Sequence, residues 1–465
     1  MLMKILLLFP AEFCIFYRSS LAAQASDAWA EALKFMKPQS EILIVGGGVA
    51  GLSLAASLGK TLGKRRKARI TLIDKSFSHV WKPMLHCFAA GTVANENDRI
   101  SFITQASEHH FEFWPGEVVS IDRENRQVVL SPFHASDGSL VLESRTIRYD
   151  TIILAIGSCA NDFGTPGVKQ HCLCIDNLVE ANVFNEKFRM ELMRAFAHGS
   201  ELDIAIVGGG ATGTQLAAEL HKALDIVDPY SLHAFGKTPP KLRVTLLQSG
   251  PRILPAFPEA VSLAAQQELE RIGVTVRTSA RVAAADSTGF ILKDGTHIPA
   301  KLRVWAAGVK APEVTQTYGN LSLHPTGQIL PHSNLCSIDD DRIFAVGDCS
   351  FIKDDPLPAT AQVARQQALH LARHLPAFIE RGVKVPGCVF KNKGAIVALG
   401  KYNGWATLPG GTVWGGGFFH GFSARMAHLF LYRRHQIELF GFYRGLISLY
   451  SDWIETFVRP SVRLD

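Results

Sequence analysis

Hydrophobic residues along this chain form short unbroken runs that end in glycine-rich turns. The clearest run, Ile42 to Val45, leads directly into the segment 46–51, whose sequence is GGGVAG, and small and apolar residues follow from Leu52. A short continuous apolar run is typical of a central parallel strand that is buried on both faces. The sequence therefore predicts a buried strand, a tight turn and a helix packed on the sheet. A second run, residues 69–73, predicts a neighbouring strand that ends at Asp74.

The spacing of the glycines in this turn is typical of dinucleotide binding. Gly46 allows the tight turn, Gly48 lets a pyrophosphate approach the backbone, and Gly51 lets helix and strand pack closely. The pyrophosphate would then lie on free N–H groups at the positive end of the helix dipole. Asp74 is placed to accept both hydroxyls of an adenosine ribose. The alternative is a glycine turn with a purely structural role.

The same pattern returns from residue 203 onward, which makes it an internal repeat on the scale of a domain. An apolar run again leads into a glycine turn, with its glycines at Gly208, Gly210 and Gly213. The next apolar run ends at Gln248, where the first unit has Asp74. Residues 303–312 echo residues 150–158. Two such fingerprints predict two Rossmann-like domains in an α/β fold, and two bound dinucleotides.

A further apolar run, residues 342–346, predicts a strand that returns to the first unit and ends in Gly347 and Asp348. An aspartate there can hydrogen-bond the ribityl chain of a flavin, although an ordinary helix N-cap is the alternative. We therefore expect FAD in the first unit and a nicotinamide dinucleotide in the second. Hydride transfer between them needs no acid or base of the protein's own. The predicted FAD-binding domain is discontinuous, 41–160 and 313–390, and encloses the NAD(P)H-binding domain, 161–312.

The remaining segments have weaker patterns. Short alternating runs at 113–150 suggest an antiparallel meander, and residues 391–408 suggest a hairpin. In the tail, apolar side chains recur at helical spacing at Phe442, Leu446, Leu449, Tyr450, Trp453 and Phe457. We expect 391–465 to form this hairpin followed by amphipathic helices that insert into a membrane interface. A dimer interface or packing on the core is the alternative, and no stretch of 18 apolar residues occurs to span a bilayer.

Residues 1–40 resemble a short signal sequence, but Pro10 and Glu12 interrupt the apolar run. Met36 lies a normal distance before the first predicted strand. We hypothesise that the working protein begins near Met36 and that the preceding stretch is a start-site artefact. N-terminal sequencing of the native protein that finds residues 1–20 intact would contradict this hypothesis.

Composition narrows the functional class further. The chain has 465 residues, 47% of them hydrophobic, and a net charge of +6, which allows attraction to an anionic membrane but gives no specific case for nucleic acid. Its eight cysteines are scattered, with no Cys-x-x-Cys pair, so we expect reduced thiols and no metal site.

Several local motifs resemble type II NADH dehydrogenase, the single-subunit, non-proton-pumping NADH:quinone oxidoreductase, in its proteobacterial form. They include residues 79–86 (HVWKPMLH), 161–169 (NDFGTPGVK), 304–312 (VWAAGVKAP) and 346–349 (VGDC). The most specific is 361–366 (AQVARQ), which matches the family's quinone-site motif AQxAxQ. Without the resemblance, this segment predicts only a helix.

The resemblance implies a respiratory-chain enzyme that passes two electrons from NADH through FAD to a membrane quinone. It implies that Gln362, Gln366 and Lys393 lie near the quinone head group, and that further residues bind the cofactors, namely Lys82, Gly157, Gly308 and Ala364. It also implies a peripheral protein on the cytoplasmic face of the inner membrane, anchored to the lipid surface by its C-terminal helices. The resemblance does not decide whether the protein is a homodimer.

Two residues depart from the family pattern. The family has Glu where this chain has Gln215, and its second strand usually ends in a Glu that binds the adenosine ribose, where this chain has Gln248. A carboxylate repels a 2′-phosphate, whereas a neutral amide can donate to one. We therefore expect NADPH to be used measurably beside NADH. Gln215 removes a charge near the nicotinamide and is expected to alter nucleotide affinity.

Three other functions share parts of this pattern. A sulfide:quinone oxidoreductase has the same two units and requires reactive cysteines beside the flavin, for which Cys159 and Cys349 are the candidates. A disulfide reductase needs a cysteine pair soon after the first fingerprint, where Cys87 stands alone. A redox-sensing flavoprotein that binds partners through its tail is the non-enzymatic alternative.

Overall fold

The computed structural model describes residues 39–93, 99–135, 137–235, 241–407 and 413–415, together with the single positions 437, 439, 441, 445, 447 and 450. The expectations for residues 1–38 and for most of the tail lie outside these described residues. No helix among the described residues is long and apolar enough to cross a bilayer.

In the described part of the chain up to residue 160, strands outnumber helices. Its strands are β1 (Ser40–Val45), β2 (Ala68–Asp74), β3 (Ser78–Val80), β4 (Arg99–Ser101), β5 (Glu112–Pro115), β6 (Val118–Asp122), β7 (Gln127–Leu130), β8 (Phe133–His134), β9 (Leu140–Leu142), β10 (Arg145–Arg148), β11 (Thr151–Leu154) and β12 (Cys159–Ala160). Its helices are α1 (Val49–Leu58), α2 (Leu85–Ala90) and α3 (Phe102–His109). A π-helical turn, Gly59–Gly63, extends α1, and a 3-10 turn, Lys82–Met84, precedes α2.

The middle part carries the second nucleotide fingerprint. Its helices are α4 (Val168–His171), α5 (Leu178–His198), α6 (Ala211–Phe235) and α7 (Glu259–Arg271). Its strands are β13 (Leu202–Val207), β14 (Leu242–Leu247), β15 (Val274–Arg277), β16 (Val282–Ala285), β17 (Gly289–Leu292), β18 (His297–Pro299), β19 (Leu302–Trp305) and β20 (Val309–Lys310). A 3-10 turn, Glu313–Thr317, follows.

The last part returns to the first unit and then leaves it. It comprises β21 (Ile343–Ala345), a 3-10 turn (Gly347–Cys349), α8 (Ala361–Arg381), β22 (Ala395–Leu399), β23 (Asn403–Thr407) and β24 (Val413–Gly415). The segment with the AQxAxQ motif is helical, as predicted.

Two parallel sheets form the two cores, which confirms the predicted α/β class with Rossmann-like units. The first has the order β21-β11-β1-β2-β5, so the strand at 343–345 does return to the first unit. The second has the order β15-β14-β13-β19. In the central strand β1, Ile42 and Ile44 pack towards α1 and α8, and Leu43 and Val45 pack towards the opposite face. This two-sided burial explains why the strand is apolar at every position.

Smaller sheets complete each unit and join the two. The predicted meander is present as the antiparallel sheet β10-β7-β6, and the predicted hairpin as β22 and β23, with β24 added. β12 pairs with β20 where the chain passes between the two units. Leu85 and Phe88 of helix α2, with Met84 of the 3-10 turn before it, lie in the core of the second unit, so the two units share a packed boundary.

His79 in β3 is buried beneath the first glycine turn, with its Nδ1 atom 3.0 Å from the carbonyl oxygen of Gly47. Burial disfavours the charged imidazole and lowers the pKa of His79 from 6.5 to about 4, despite the opposing effect of the Gly47 carbonyl. The neutral ring therefore supports the turn at physiological pH.

We predict that His79 makes the fold sensitive to acid. The unfolded chain binds a proton at this ring below about pH 6.5 while the folded protein does not, so its contribution is complete above that pH and is lost towards pH 4. Between pH 7 and 5 the loss should be about 2 kcal/mol in the free energy of unfolding. His79→Asn keeps an N–H donor for Gly47 and should flatten this pH dependence in urea unfolding followed by tryptophan fluorescence.

The matched control is His134→Asn, since His134 is an exposed histidine in β8. It should retain the full pH dependence of the wild type. Identical slopes for the wild type and His79→Asn would show that the buried ring does not titrate as described.

Candidate functional site

The first glycine turn connects β1 to α1 and is shaped by close backbone contacts. Gly46 has φ +101°, and a Cβ there would lie 2.4 Å from the carbonyl oxygen of Ala155 at the end of β11. A Cβ on Gly51 would lie 1.8 Å from the carbonyl oxygen of Gly46. By contrast, a Cβ on Gly48 would meet nothing within 4 Å. Two of the glycines therefore permit packing, and the third faces open space.

The second turn, between β13 and α6, repeats this geometry. Gly208 has φ +115°, and a Cβ there would lie 2.4 Å from the carbonyl oxygen of Ala306 at the end of β19. A Cβ on Gly213 would lie 2.0 Å from the carbonyl oxygen of Gly208, and one on Gly210 would meet nothing within 4 Å. The repeat in the sequence is thus also a repeat in the backbone geometry of the two turns.

The start of α1 suits a diphosphate. No side chain caps its first turn, whereas Asn177 caps α5 and Thr360 caps α8 by accepting a backbone N–H. The first amides of a helix have no intrahelical partner and attract an anion. The open space at Gly48 and these uncapped amides together fit the diphosphate of a dinucleotide.

Asp74 and Gln248 occupy equivalent positions at the ends of the second strands. The amide of Gly47 donates to Oδ2 of Asp74 at 2.6 Å, and the amide of Gly209 donates to Oε1 of Gln248 at 2.9 Å. Burial raises the pKa of the Asp74 carboxyl above its ordinary value, although the amides of Gly47 and Ser76 act in the opposite direction. Since a backbone amide can only donate, the Gln248 oxygen faces the turn and its NH₂ group points away from the Gly209 amide.

Three segments meet where the flavin ring is expected. Lys82 Nζ donates to the carbonyl oxygen of Ser158 at 3.0 Å, and Ser158 Oγ donates to Oδ2 of Asp348 at 2.8 Å. Gly157 and Gly347 precede these residues with φ +72° and +73°, each in the left-handed region that favours glycine. The structure thus brings together Lys82, Gly157, Gly347 and Asp348, as the sequence analysis expected of cofactor-binding residues.

Ser158 connects Lys82 to Asp348, and sequence reasoning missed it. Its only signal in the sequence is its place directly after the turn glycine at the end of β11. Nor was Gln367 expected at the site, although it is buried and its Oε1 atom accepts from the amide of Gly347 at 2.7 Å. A Cβ on Gly347 would lie 3.2 Å from the Cβ of Ala364, so the predicted residue Ala364 packs closely against this glycine.

Gln362 and Gln366, one turn apart on α8, both bind the backbone that leads into β22. Gln362 accepts from the amide of Lys393 at 2.6 Å and donates to the carbonyl oxygen of Gly394 at 3.0 Å. Gln366 accepts from the amide of Lys391 at 3.0 Å and donates to its carbonyl oxygen at 2.9 Å. The two glutamines and residue 393 are therefore together, with the exposed side chain of Lys393 beside them.

The other two predicted residues lie in the second unit. Gln215 is buried in the first turns of α6. Gly308 has φ +69°, and a Cβ there would lie 2.7 Å from the ring of Phe163. Phe163 thus covers Gly308 at the end of the nucleotide-binding edge, a contact that the sequence did not reveal.

The cysteine candidates for sulfide chemistry are poor nucleophiles. Burial raises the pKa of the Cys349 thiol to about 11, and its Sγ donates to the carbonyl oxygens of Val346 and Leu154. Burial, together with the negative charge of Asp176, also raises the pKa of Cys159. Thiolates, which are the reactive form, are therefore disfavoured at both positions.

Comparisons with known proteins agree on one family. Residues 40–368 match the model of the pyridine nucleotide-disulphide oxidoreductase family. A type II NADH:quinone oxidoreductase of Haemophilus influenzae is 35% identical over 446 residues, which cover 91% of this chain and 99% of that protein. An enzyme of the same name from Staphylococcus aureus (strain bovine RF122 / ET3-1) is 28% identical over 377 residues, covering 79% and 89%.

Solved structures share the fold at low sequence identity. NDH2 from Plasmodium falciparum in complex with NADH superposes with a TM-score of 0.76 at 18% identity, covering 91% of this chain and 100% of that one. A sulfide:quinone oxidoreductase from Aquifex aeolicus gives 0.66 at 18% identity, covering 86% and 92%. The family resemblance drawn from the sequence motifs is confirmed, and with it the expectation of FAD and NADH. The chain belongs to the type II NADH:quinone oxidoreductases, within the pyridine nucleotide-disulphide oxidoreductase family.

Proposed function

We propose that this protein oxidises NADH and passes two electrons through FAD to a membrane quinone, without pumping protons, as part of a respiratory chain. One observation carries the proposal, which is the pair of open glycine turns at Gly48 and Gly210 in a single folded chain. The pairing of β12 with β20 joins the segments that follow Gly157 and Gly308, so the nucleotide-binding edges of the two units are linked directly.

The first unit is proposed to hold FAD. The turn 46–51 would bind its diphosphate, Asp74 its adenosine ribose and Asp348 its ribityl chain. When bound, FAD supplies the redox chemistry, because it accepts a hydride from a nicotinamide and releases electrons to a quinone. The protein's part is orientation: Ser158 fixes the Asp348 carboxylate and the Lys82 ammonium relative to each other.

The second unit is proposed to hold the nicotinamide nucleotide on the turn 208–213. Its ribose would meet Gln248, whose NH₂ group faces away from the Gly209 amide. Arg277, which is exposed at the end of the adjacent strand β15, adds positive charge to the same edge. Both features favour tolerance of a 2′-phosphate, so we propose that NADPH is used beside NADH.

The acceptor side is proposed to lie at the junction of α8 and the segment 391–394. Gln362 and Gln366 fix this segment through four hydrogen bonds to its backbone. They would thereby position Lys393 and the edge of the quinone pocket.

We further propose the domain boundaries 41–160 with 313–390 for the FAD-binding domain, 161–312 for the NAD(P)H-binding domain and 391–465 for the C-terminal part. The C-terminal part would hold the protein peripherally on the cytoplasmic face of the inner membrane. Tyr450 and Ile447 in this part are 63% and 68% exposed, as side chains that insert into a lipid interface would be.

The proposed function is tested by anaerobic stopped-flow reduction of the FAD-loaded protein with NADH, followed by mixing with ubiquinone. We expect the flavin absorbance to bleach on the first mixing and to return on the second. Bleaching without reoxidation by quinone would remove quinone reduction from the function. A protein that stays colourless after incubation with FAD would contradict the proposal as a whole.

We predict that Gln248→Glu reduces the use of NADPH and spares that of NADH. A carboxylate at this position repels the 2′-phosphate, which should lower kcat/KM for NADPH by about tenfold or more. Steady-state assays with both nucleotides measure the ratio of the two kcat/KM values, and Gln267→Glu, at an exposed position of α7, is the control. A wild-type enzyme that already prefers NADH a thousandfold would show that Gln248 has no such role.

We predict that Gln366→Ala impairs quinone reduction selectively. The variant lacks the two hydrogen bonds between the Gln366 side chain and the backbone of Lys391. Because the proposed edge of the quinone pocket is then held less firmly, KM for quinone should rise about three- to tenfold. Reduction of ferricyanide by NADH, which bypasses the quinone pocket, should be unchanged. The control is Gln266→Ala, because the Gln266 amide donates to Glu270 within α7 at 2.8 Å. Parallel losses with quinone and ferricyanide would place the role of Gln366 elsewhere.

A further inference from the structure

A dense run of cations lies where α1 ends and β2 begins. No acidic residue occurs between Gly51 and Ile73, and the segment carries six exposed cationic side chains, Lys60, Lys64, Arg65, Arg66, Lys67 and Arg69. We call residues 60–69 the basic turn. None of these residues belongs to the cofactor sites described above.

The backbone of the basic turn is fixed by close packing on the end of α3. A Cβ on Gly59 would lie 2.1 Å from the carbonyl oxygen of His109, and one on Gly63 would lie 2.2 Å from that of His110. The amide of Lys64 donates to the carbonyl oxygen of Gly59 at 2.7 Å. The two glycines therefore fix the backbone that carries the charged side chains.

Acidic neighbours neutralise only part of the turn. Lys67 pairs with Glu380 at 2.7 Å, and Arg69 lies 3.5 Å from Glu41 and 3.6 Å from Glu112. Among the described residues, Lys60, Lys64 and Arg65 form no ion pair within 4.0 Å. Within the described part of the chain, no close acidic side chain therefore neutralises these three cations.

The C-terminal part packs against the same end of α3. Nε2 of His109 lies 2.9 Å from the carbonyl oxygen of Leu439, whose side chain is buried in the core of the first unit. Farther along, Ile447 and Tyr450 are exposed. Because His109 contacts both Gly59 and Leu439, the basic turn adjoins the C-terminal part that presents exposed apolar side chains. Basic residues beside exposed apolar ones are the signature of a surface that binds anionic membranes.

We propose that Lys60, Lys64 and Arg65 bind anionic phospholipid headgroups, so that the FAD-binding unit itself contacts the membrane beside the C-terminal part. This inference rests on the proposed peripheral membrane location and adds the lipid class and the residues that recognise it. Nucleic acid fits less well, because no aromatic residue lies between Ser53 and Ser76 to stack on a base.

The test compares binding of the FAD-loaded full-length protein to vesicles of phosphatidylcholine, with and without phosphatidylglycerol. The triple variant Lys60→Gln, Lys64→Gln, Arg65→Gln should lose about tenfold or more in affinity for the anionic vesicles, because each cation near an anionic surface adds to binding. Its affinity for neutral vesicles should be unchanged. The matched control is Lys187→Gln, Arg281→Gln, Lys293→Gln, which removes three exposed cations from the second unit and should bind as the wild type does.

The outcomes separate this inference from the proposed function. A wild type that binds neither vesicle contradicts the membrane location itself. If the wild type binds both kinds of vesicle, and the triple variant and its control lose equal affinity for the anionic ones, only the role of the basic turn is contradicted. If the triple variant lost oligonucleotide binding but bound anionic vesicles as the wild type does, the inference would also be overturned. Ferricyanide reduction by NADH verifies that each variant is folded. The double variant Lys60→Arg, Lys64→Arg keeps both positive charges and should bind anionic vesicles as the wild type does.

Discussion

The close approach of a glycine turn to the end of a neighbouring strand is the constraint on which the rest of this structure depends. At Gly46 and again at Gly208 the turn passes so near a carbonyl oxygen that no side chain fits. This contact sets each helix directly against its sheet and directs the first amides of α1 outward. Asp74 and Gln248 each accept a hydrogen bond from a backbone amide of one of these turns. Asp348 follows a strand of the first sheet and lies at the same edge of that sheet.

Local features of the sequence predicted the elements near these turns, because the glycine spacing and the unbroken apolar runs act over a few residues. The two parallel sheets, the meander, the hairpin and the returning strand all follow from such runs. The predicted burial of β1 on both faces is visible in the split of Ile42 and Leu43 between two clusters.

Contacts between distant segments could not be read from the sequence. His79 supports Gly47, and Ser158 binds both Lys82, 76 residues before it, and Asp348, 190 residues after it. His79 begins the motif at 79–86 and Ser158 follows a turn glycine, but neither position shows which distant residue its side chain will contact. Gln362 and Gln366 were expected from the resemblance alone, and the structure adds that their side-chain amides bind the backbone of 391–394.

The hairpin β22–β23 connects helix α8 to helix α6. Its base is held by the glutamines of α8, and at its turn Tyr402 donates to Asp225 of α6 at 2.6 Å while Lys401 pairs with the same carboxylate at 3.0 Å. Helix α6 begins at the second glycine turn. One continuous piece of packed structure therefore runs from the second glycine turn to the segment at residue 393.

The returning strand β21 has a consequence for how the protein is made. During synthesis from the N-terminus, β11 emerges from the ribosome long before its neighbour at 343–345, so its hydrogen-bonding edge stays open while the entire second unit is translated. The second sheet, by contrast, is complete once residue 305 has appeared. An open strand edge is prone to wrong pairing. The nascent chain thus carries an aggregation-prone surface through much of its translation, which chaperone binding or cofactor capture would have to shield.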